Sequence, residues 1–495
     1  MPQLQSQIPA EVSRITATLE AAGYQAWIVG GCVRDLLIGR KPKDWDITTN
    51  ANPEQIQGLF ENTFYTNEFG TVGVVNEPMD GGEVDPSVRV VEITPYRLEG
   101  KYSDARRPDS VIFSQNIEDD LKRRDFTINA LAYNATTGEL LDLYEGIKDI
   151  HAGLLRAVGD PQERFGEDAL RIMRAVRIAA ELGFVIEPAT KQAMAQCAEQ
   201  LAKISKERIR DEFVRIINSQ KPMQALILSR EINILRFIAP DLEQGIGVDQ
   251  NQAHSFDVYE HNLRALQHAA DKGWGFDIRI AALFHDIGKP ATRRWSEEKR
   301  DWTFHGHDVV GAKIAKKALE SLKFPRETIE KTRNLVRWHM FFSDPDKVTL
   351  SAVRRIITNV GRENIGDLVQ LRICDRIGTG RPKEQPFRFR KYQAMIDQAL
   401  RDPISVTMLA IDGKRAMEVT GENPGPRIGW LLHALLEDVL DEPVRNTAEY
   451  LETKIKELST LPDEQLKAIG VEAKSKKEEA EEADLEEIRK RHFVD

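Results

Sequence analysis

Cysteine is scarce in these 495 residues: Cys32, Cys197 and Cys374 are odd in number and far apart, which argues against a disulfide framework. No apolar run reaches the roughly 20 residues needed to cross a bilayer. The opening MPQLQSQIPAEVSRITATLEAAGY lacks the basic-then-apolar order of a secretory leader. These absences point to a cytoplasmic protein with no membrane attachment. An excess of positive charge is missing too, since the formal net charge is −10. That argues against nucleic acid as a partner, but a whole-chain average leaves room for local basic stripes.

What is present fits a soluble globular chain, 41% hydrophobic and 30% charged, and long enough for two to four domains with sizeable cores. Two basic stripes occur. Residues 203–230 carry seven basic against three acidic residues, and residues 380–392 carry five against one, namely Arg381, Lys383, Arg388, Arg390 and Lys391. Phe387, Phe389 and Tyr392 are interleaved in the second stripe, as in surfaces that stack on exposed bases. Taken alone, each stripe is equally well a solvated helix face or loop.

The first 150 residues or so read as mixed α/β. AWIVGG is a strand entering a glycine turn, VRDLLIG a short helix closed by Gly39, and NPEQIQGLF a helix capped by Asn52 with Pro53 in its first turn. TVGVVN and VRVVEITPY read as a strand pair. From about residue 155 the period becomes helical, with Leu170, Met173, Val176 and Ala180 on one apolar face, and all later segments read as helices. The last thirty residues are a mixed-charge run, a solvated helix or disorder.

Within the first region, DWDITT sets Asp44 and Asp46 at i and i+2, on one face if the segment is a strand. Two like charges held together are costly unless a cation lies between them, and an all-oxygen set suits Mg²⁺ shared with substrate phosphates. An isolated pair of this kind is usually just surface. Three segments raise its weight. Glu92 in VVEITPY brings a third carboxylate, LKRRDFTINALAYN brings Arg123, Arg124, Asp125 and Asn129, and Asp168, Arg171, Arg174 and Arg177 recur every three residues in a helical pattern. The glycine pair supplies close backbone approach and free N–H groups at a helix start, a cradle for phosphates.

VGGCVRD…DWD, RRDFTINA and RFGEDALRIMRAVR, in this order, resemble the motifs of the class II tRNA nucleotidyltransferase and poly(A) polymerase family. The segment DGKRAMEVTGENPGPRIGWLLHALLEDVL is similar to the C-terminal part of many bacterial members. The resemblance implies an α+β chain: a polymerase-β-like head, residues 1–155, followed by an all-α neck (156–250), a third domain (251–378) and a tRNA-binding tail (379–495). By position it implies Asp44, Asp46 and Glu92 as catalytic carboxylates, the two aspartates binding Mg²⁺. Gly31, Arg34, Arg124, Asp168, Arg171, Arg174 and Arg177 are implied to bind the nucleotide, and the stripe from Arg381 to Lys391 to bind RNA. CTP, ATP and the 3′ end of tRNA are the implied partners, with a monomer or homodimer left open.

A carboxylate only accepts hydrogen bonds and a guanidinium only donates them. Asp168 can therefore take the exocyclic amino group of cytosine or adenine while Arg171 meets the adjacent ring acceptor, and the carbonyl of guanine or uracil is rejected. The resemblance implies that the segment 97–113, with Lys101, Arg106 and Arg107 in it, takes the place of the family's loop that chooses between C and A. A loop there is implied to favour complete CCA addition, or addition of A alone, over CC addition, and poly(A) synthesis stays open.

Seven of the ten histidines lie between His254 and His339. The run EHNLRALQHA, AALFHDIGKP, FHGHDVVGAK, VRWHMF and ICDRIG resembles the HD phosphohydrolase superfamily. The resemblance implies His261, His285, Asp286 and Asp375 as core ligands of a divalent metal, His307 and His339 as extra ligands of two-metal versions, and Lys289 as a phosphate contact. Mg, Mn, Ni, Co, Fe and Zn all suit imidazole plus carboxylate. Hydrolysis of a 2′,3′-cyclic phosphate or phosphate ester at an RNA end is the implied activity. Competing readings are an HD phosphohydrolase whose head only grips RNA, and a non-catalytic RNA-binding protein.

Overall fold

The amphipathic segment Ala10–Ala21 buries Val12, Ile15, Thr16 and Leu19 on one side, and opens a computed structural model that describes residues 4–66, 70–77, 84–99, 111–251, 255–341 and 348–466. The chain divides into two units, Met1–Ile238 and Ala239–Asp495.

The first unit is built on a seven-stranded sheet. Its strands are β1 (Ala26–Val29), β2 (Trp45–Thr49), β3 (Thr63–Tyr65), β4 (Val72–Val75), β5 (Val90–Pro95), β6 (Leu131–Tyr133) and β7 (Leu140–Asp142), in the order β3-β4-β5-β2-β1-β6-β7. Only β2 and β5 run parallel. The β-branched and aromatic content of DWDITT makes β2 a central strand, with Trp45, Ile47, Thr48 and Thr49 buried. After β1, Gly30 turns the chain at φ +85°, and the helix α1 (Gly31–Leu37) follows. Asn52 and Gln55 form a reciprocal capping box on the helix Pro53–Leu59, which also has Pro at its start, as the sequence suggests.

The segment 163–184 is divided between two helices, α2 (Pro161–Glu167) and α3 (Leu170–Leu182), but the expected apolar face of Leu170, Met173, Val176 and Ala180 is buried on one of them, α3. Asp168 sits at the break in extended conformation, φ −140° and ψ 104°. Only Arg171, Arg174 and Arg177 of the expected row are therefore helical. They occupy the polar side of α3, whose other faces are buried, and α4 (Lys206–Ile217) packs nearby.

The second unit is helical around one continuous core that includes Leu335, Val353, Leu371, Tyr392, Leu435 and Ile455. Its site-bearing helices are α5 (Val258–Asp271), α6 (Phe276–Phe284), α7 (His307–Ser321), α8 (Arg326–Trp338) and α9 (Ile365–Gly378), with α10 (Phe387–Ala399) after them. The expectation of helices alone beyond residue 155 fails at two places. Leu154–Leu155 pairs in parallel with Val185–Ile186, and Arg294–Ser296 pairs with Asp301–Thr303 as a hairpin. Trp295 and Trp302, opposite each other, give that hairpin its reason to form. No described helix is long and apolar enough to cross a membrane.

Candidate active sites

In the head, the sheet register does the assembling. Asp46 pairs with Glu92 across the parallel β2–β5 seam and with Val29 on β1, one residue before the glycine turn. Gly30 is wedged between functional groups: a Cβ there would lie 3.0 Å from Arg124 Nη1 and 3.6 Å from Asp46 Oδ2. Burial and the neighbouring Asp44 charge push the Asp46 carboxyl up to about 7, and Arg124 offsets this only in part. Burial, then Asp44, raises Glu92 as well. Asp46 and Glu92, both raised beside the Asp44 charge, form a corner short of cations, and an all-oxygen set suits Mg²⁺. The trio is nevertheless open. Among the described residues, groups of three or more His, Cys, Asp or Glu with ligand atoms within 4.8 Å of one another occur only in the second unit.

The arginines around this corner are braced. Arg34 donates to Asp35 at 2.7 Å and to Asn129 Oδ1 at 2.7 Å. Arg123 and Arg124 both bond the fully buried Asp120, the latter at 3.0 Å. Arg174 pairs with Asp125 at 2.7 Å, and Arg177 with Glu212 at 2.7 Å and Glu181 at 3.2 Å. Asp168 and Arg171 are held separately. Arg171 donates to Glu167 at 2.5 Å and to the backbone carbonyls of Arg164 and Arg123. Asp168 accepts from the Leu170 N–H at 3.0 Å and from Arg208 on α4 at 2.7 Å. The sequence reading missed Arg208, Glu167 and Glu212. The i,i+4 spacing of Arg208 and Glu212 within KERIRDEF was the available signal. Lys101, Arg106 and Arg107 lie outside the described residues.

In the second unit, four imidazoles and two carboxylates converge from separate helices. His261 comes from α5, His285 and Asp286 from the end of α6, His307 from the start of α7, His339 from the end of α8 and Asp375 from α9. They form two sets, His261–His285–Asp286–Asp375 and Asp286–His307–His339. Asp286 belongs to both: its Oδ2 lies 3.0 Å from His261 Nε2, and its Oδ1 lies 3.2 Å from His307 Nε2. His285, His307 and His339 each donate Nδ1–H to the carbonyl three residues earlier, at 2.7, 2.7 and 2.6 Å. That turns each Nε2 inward, the orientation metal-binding histidines adopt.

Burial opposes charge on His285, yet Asp286 and Asp375 outweigh it and push the imidazole up to about 10. Burial lowers His261 and His339. One proton on His285 thus occupies a centre whose donor set fits a pair of divalent cations. Two close-packed glycines make the convergence possible: a Cβ on Gly288 would fall 2.1 Å from the His307 carbonyl oxygen and 2.5 Å from the Gly311 nitrogen.

Lys289 is buried, bonds Asp286 at 2.5 Å and Gln250 at 2.6 Å, and lines one cavity with Asp286, His307 and Asp375. One expectation needs correction. Phe389 and Tyr392 are core residues of α10, Tyr392 donating its hydroxyl to the Phe341 carbonyl at 3.1 Å. Only Phe387, 72% exposed, can stack on a base. Arg381, Lys383, Arg388, Arg390 and Lys391 are all exposed. Of the remaining histidines, His268 packs edge-on against Trp274, His305 is exposed, and His254 lies outside the described residues.

Residues 26–156 match the poly A polymerase head domain, 183–246 the probable RNA and SrmB-binding site of polymerase A, and 258–377 the HD domain. The CCA-adding enzyme of Lactobacillus delbrueckii subsp. bulgaricus is 45% identical over 439 residues, 88% of this chain and 95% of that one. The chain belongs to the CCA-adding enzyme family. That family consists of nucleotidyltransferases. With the CCA-adding enzyme of Lactiplantibacillus plantarum, identity is 46% over 243 residues, 48% of this chain and 57% of that one. The crystal structure of the Bacillus stearothermophilus CCA-adding enzyme in complex with CTP superposes with a TM-score of 0.66 and 28% identity, covering 92% of this chain and 98% of that one.

Proposed function

We propose that the head extends the 3′ end of tRNA with CCA, using CTP and ATP. The observation that carries this reading is the pairing of Asp46 with Glu92 beside the Gly30 turn and Arg124. The tRNA 3′-hydroxyl gives up its proton to water, its oxygen bonds to the α-phosphorus, the bond to the β-phosphate oxygen breaks, and pyrophosphate leaves. Mg²⁺, held by Asp44 and Asp46 with Glu92 alongside, supplies positive charge for the reacting oxygens when bound. The chain's own groups do the rest. The backbone at Gly30 and Gly31 approaches the triphosphate, and Arg34 and Arg124 grip it. Asp168 accepts from the amino group of the base, Arg171 donates to its ring acceptor, and Arg174 and Arg177 continue the row. The family's name and the CTP complex of its Bacillus member support this choice of substrates. The exposed stripe from Arg381 to Lys391 tracks tRNA phosphates.

The test uses three tRNAs, ending before CCA, after C and after CC, each given CTP, ATP or both, with products sized. Complete CCA on the first acceptor is expected. Extension of the third acceptor alone would make this an A-adding enzyme, and long A tracts a poly(A) polymerase.

A second reading concerns the HD unit, because Asp286 ties two complete ligand sets together. We propose that it hydrolyses phosphate esters at RNA 3′ ends, including a 2′,3′-cyclic phosphate that blocks the attacking hydroxyl. Water adds to phosphorus, one ribose–phosphate bond breaks, and the proton passes to the released ribose oxygen. When bound, divalent cations at the two sets supply an activated water. His285→Ala, assayed on a cyclic-phosphate RNA end, should abolish hydrolysis and leave CCA addition to an unblocked tRNA intact. Unchanged hydrolysis excludes the HD cluster as its source.

A further inference from the structure

A two-stranded hairpin is marginal on its own, and the hairpin at 294–303 stands in a unit otherwise made of helices. It is held by Trp295 and Trp302, whose rings meet edge to face at 5.2 Å, and by the guanidinium of Arg293, 3.7 Å over Trp302. Trp295 remains 48% exposed, a large apolar area kept at the surface. Trp302 and Lys299 line a cavity of about 430 Å³ whose wall also includes Asp286, Asp375 and His307 of the metal-ligand cluster. That volume suits one small-molecule unit, not a folded polymer.

The same cavity is rich in cations. Arg372 is committed to Asp375 and Lys289 to Asp286. Lys299 and Arg381, both exposed on the wall, pair with no carboxylate among the described residues, and Arg376 bonds only the Lys383 carbonyl at 2.5 Å. Lys289, Lys299, Arg372, Arg376 and Arg381 thus outnumber the wall carboxylates Asp286, Asp301 and Asp375 by two. A single ester phosphate at the cluster does not need that excess.

From this juxtaposition we infer that the hairpin is the nucleobase platform of the HD site. The last nucleotide of an RNA 3′ end lies in the cavity, its base against Trp302 and its terminal phosphate at the metal-ligand cluster. Lys299, Arg376 and Arg381 take the preceding phosphodiester. Arg293 backs the indole, and Trp295 fixes its tilt. The inference rests on the phosphohydrolase reading for its chemistry, but its binding content stands apart from it.

The test uses the full chain, Trp302→Ala and Trp302→Phe, with Mn²⁺, Ni²⁺, Co²⁺ and Mg²⁺ tried in turn. The substrates are two short RNAs ending in a 2′,3′-cyclic phosphate, one with a terminal adenine and one abasic at that position. Base stacking on an aromatic side chain is worth about 1–3 kcal/mol. The native chain should therefore favour the adenine end roughly tenfold in kcat/KM, chiefly through KM. Trp302→Ala should bring the adenine-to-abasic ratio of kcat/KM close to one, and Trp302→Phe should recover most of the native ratio. A hairpin that merely props up the fold would lower both substrates together. Equal preference in the native chain and Trp302→Ala overturns the inference and leaves the phosphohydrolase reading standing. If the native chain cleaves neither RNA with any metal, that reading fails, and fluorescence anisotropy of the same RNAs with 3′-phosphate ends decides the platform. Tighter binding of the adenine end, lost in Trp302→Ala, supports it, and no difference sinks it.

Discussion

Asp168 accepts a 2.7 Å hydrogen bond from Arg208, while Arg171, three residues on, donates to Glu167 instead. The two groups assigned to reading the base are thus aimed by different braces, one from α4 and one from α2. Replacing Arg208 with Ala frees the Asp168 carboxylate to rotate. A charge-assisted bond is worth about 1.5–3 kcal/mol, so kcat/KM for CTP and ATP should drop roughly tenfold or more. UTP incorporation should rise relative to CTP. Steady-state kinetics on a tRNA lacking CCA would check both, and an unchanged UTP-to-CTP ratio would count against the brace.

Asp46, pushed up to about 7, makes the metal response of the head depend on pH. A carboxyl raised above its unfolded value contributes stability below about pH 4 that is lost as pH rises toward 7. Mg²⁺ offsets that loss, so the thermal shift it produces should be larger at pH 8 than at pH 5.5. Asp46→Asn should flatten the difference. Equal shifts at both pH values in the native chain would contradict the assignment.

Asp120 is fully buried and holds both Arg123 and Arg124. Burial opposes its charge, yet the two guanidiniums pull its carboxyl below the usual range. Its contribution to stability is therefore present above about pH 4 and lost as pH falls further. Asp120→Asn leaves two cations under-paired and should cost about 3 kcal/mol, with a raised KM for both nucleotides. Urea titration at pH 7 measures the first, and an intact midpoint would refute it.

Gly288 touches the His307 carbonyl and Gly311 so closely that no side chain fits. Gly288→Ala should force the two ligand segments apart, costing about 2 kcal/mol or more. Stoichiometric divalent-metal binding at the HD cluster should fall, with nucleotide addition by the head retained. Metal analysis after desalting is the direct measurement.

A bound metal must displace the proton on His285, held at about 10 without one. Calorimetric titration of Mn²⁺ near pH 7, in two buffers of different ionisation enthalpy, should report about one proton released. His285→Ala should release none.

Much of this was legible because local rules and tertiary demand agree. DWDITT is a strand by composition, the glycine pair a turn, and Asn52-Pro53 a helix start, and each holds in the fold. The convergence of His261, His285, Asp286, His307, His339 and Asp375 was legible from the order of the His and Asp motifs along the chain. What escaped depends on partners distant in sequence. The helical period runs unbroken through Asp168, and only the geometry at the α2–α3 break takes that residue out of the helix. Phe389 and Tyr392 alternate with basic residues as a stacking surface would, yet on α10 that spacing turns them into the core. Two tryptophans seven residues apart carry no signal until a turn at 297–300 pairs them.

The register of β2 against β5 has a further meaning. Side chains alternate faces along a strand, so a slip of one residue would set Asp46 beside a neighbour of Glu92 and turn one carboxylate away from the other. No partly zipped or misaligned sheet can assemble the acidic corner. Turnover by the head is in that sense a proofreading mark on its own folding: a population that adds nucleotides has been sorted, molecule by molecule, for correctly aligned strands.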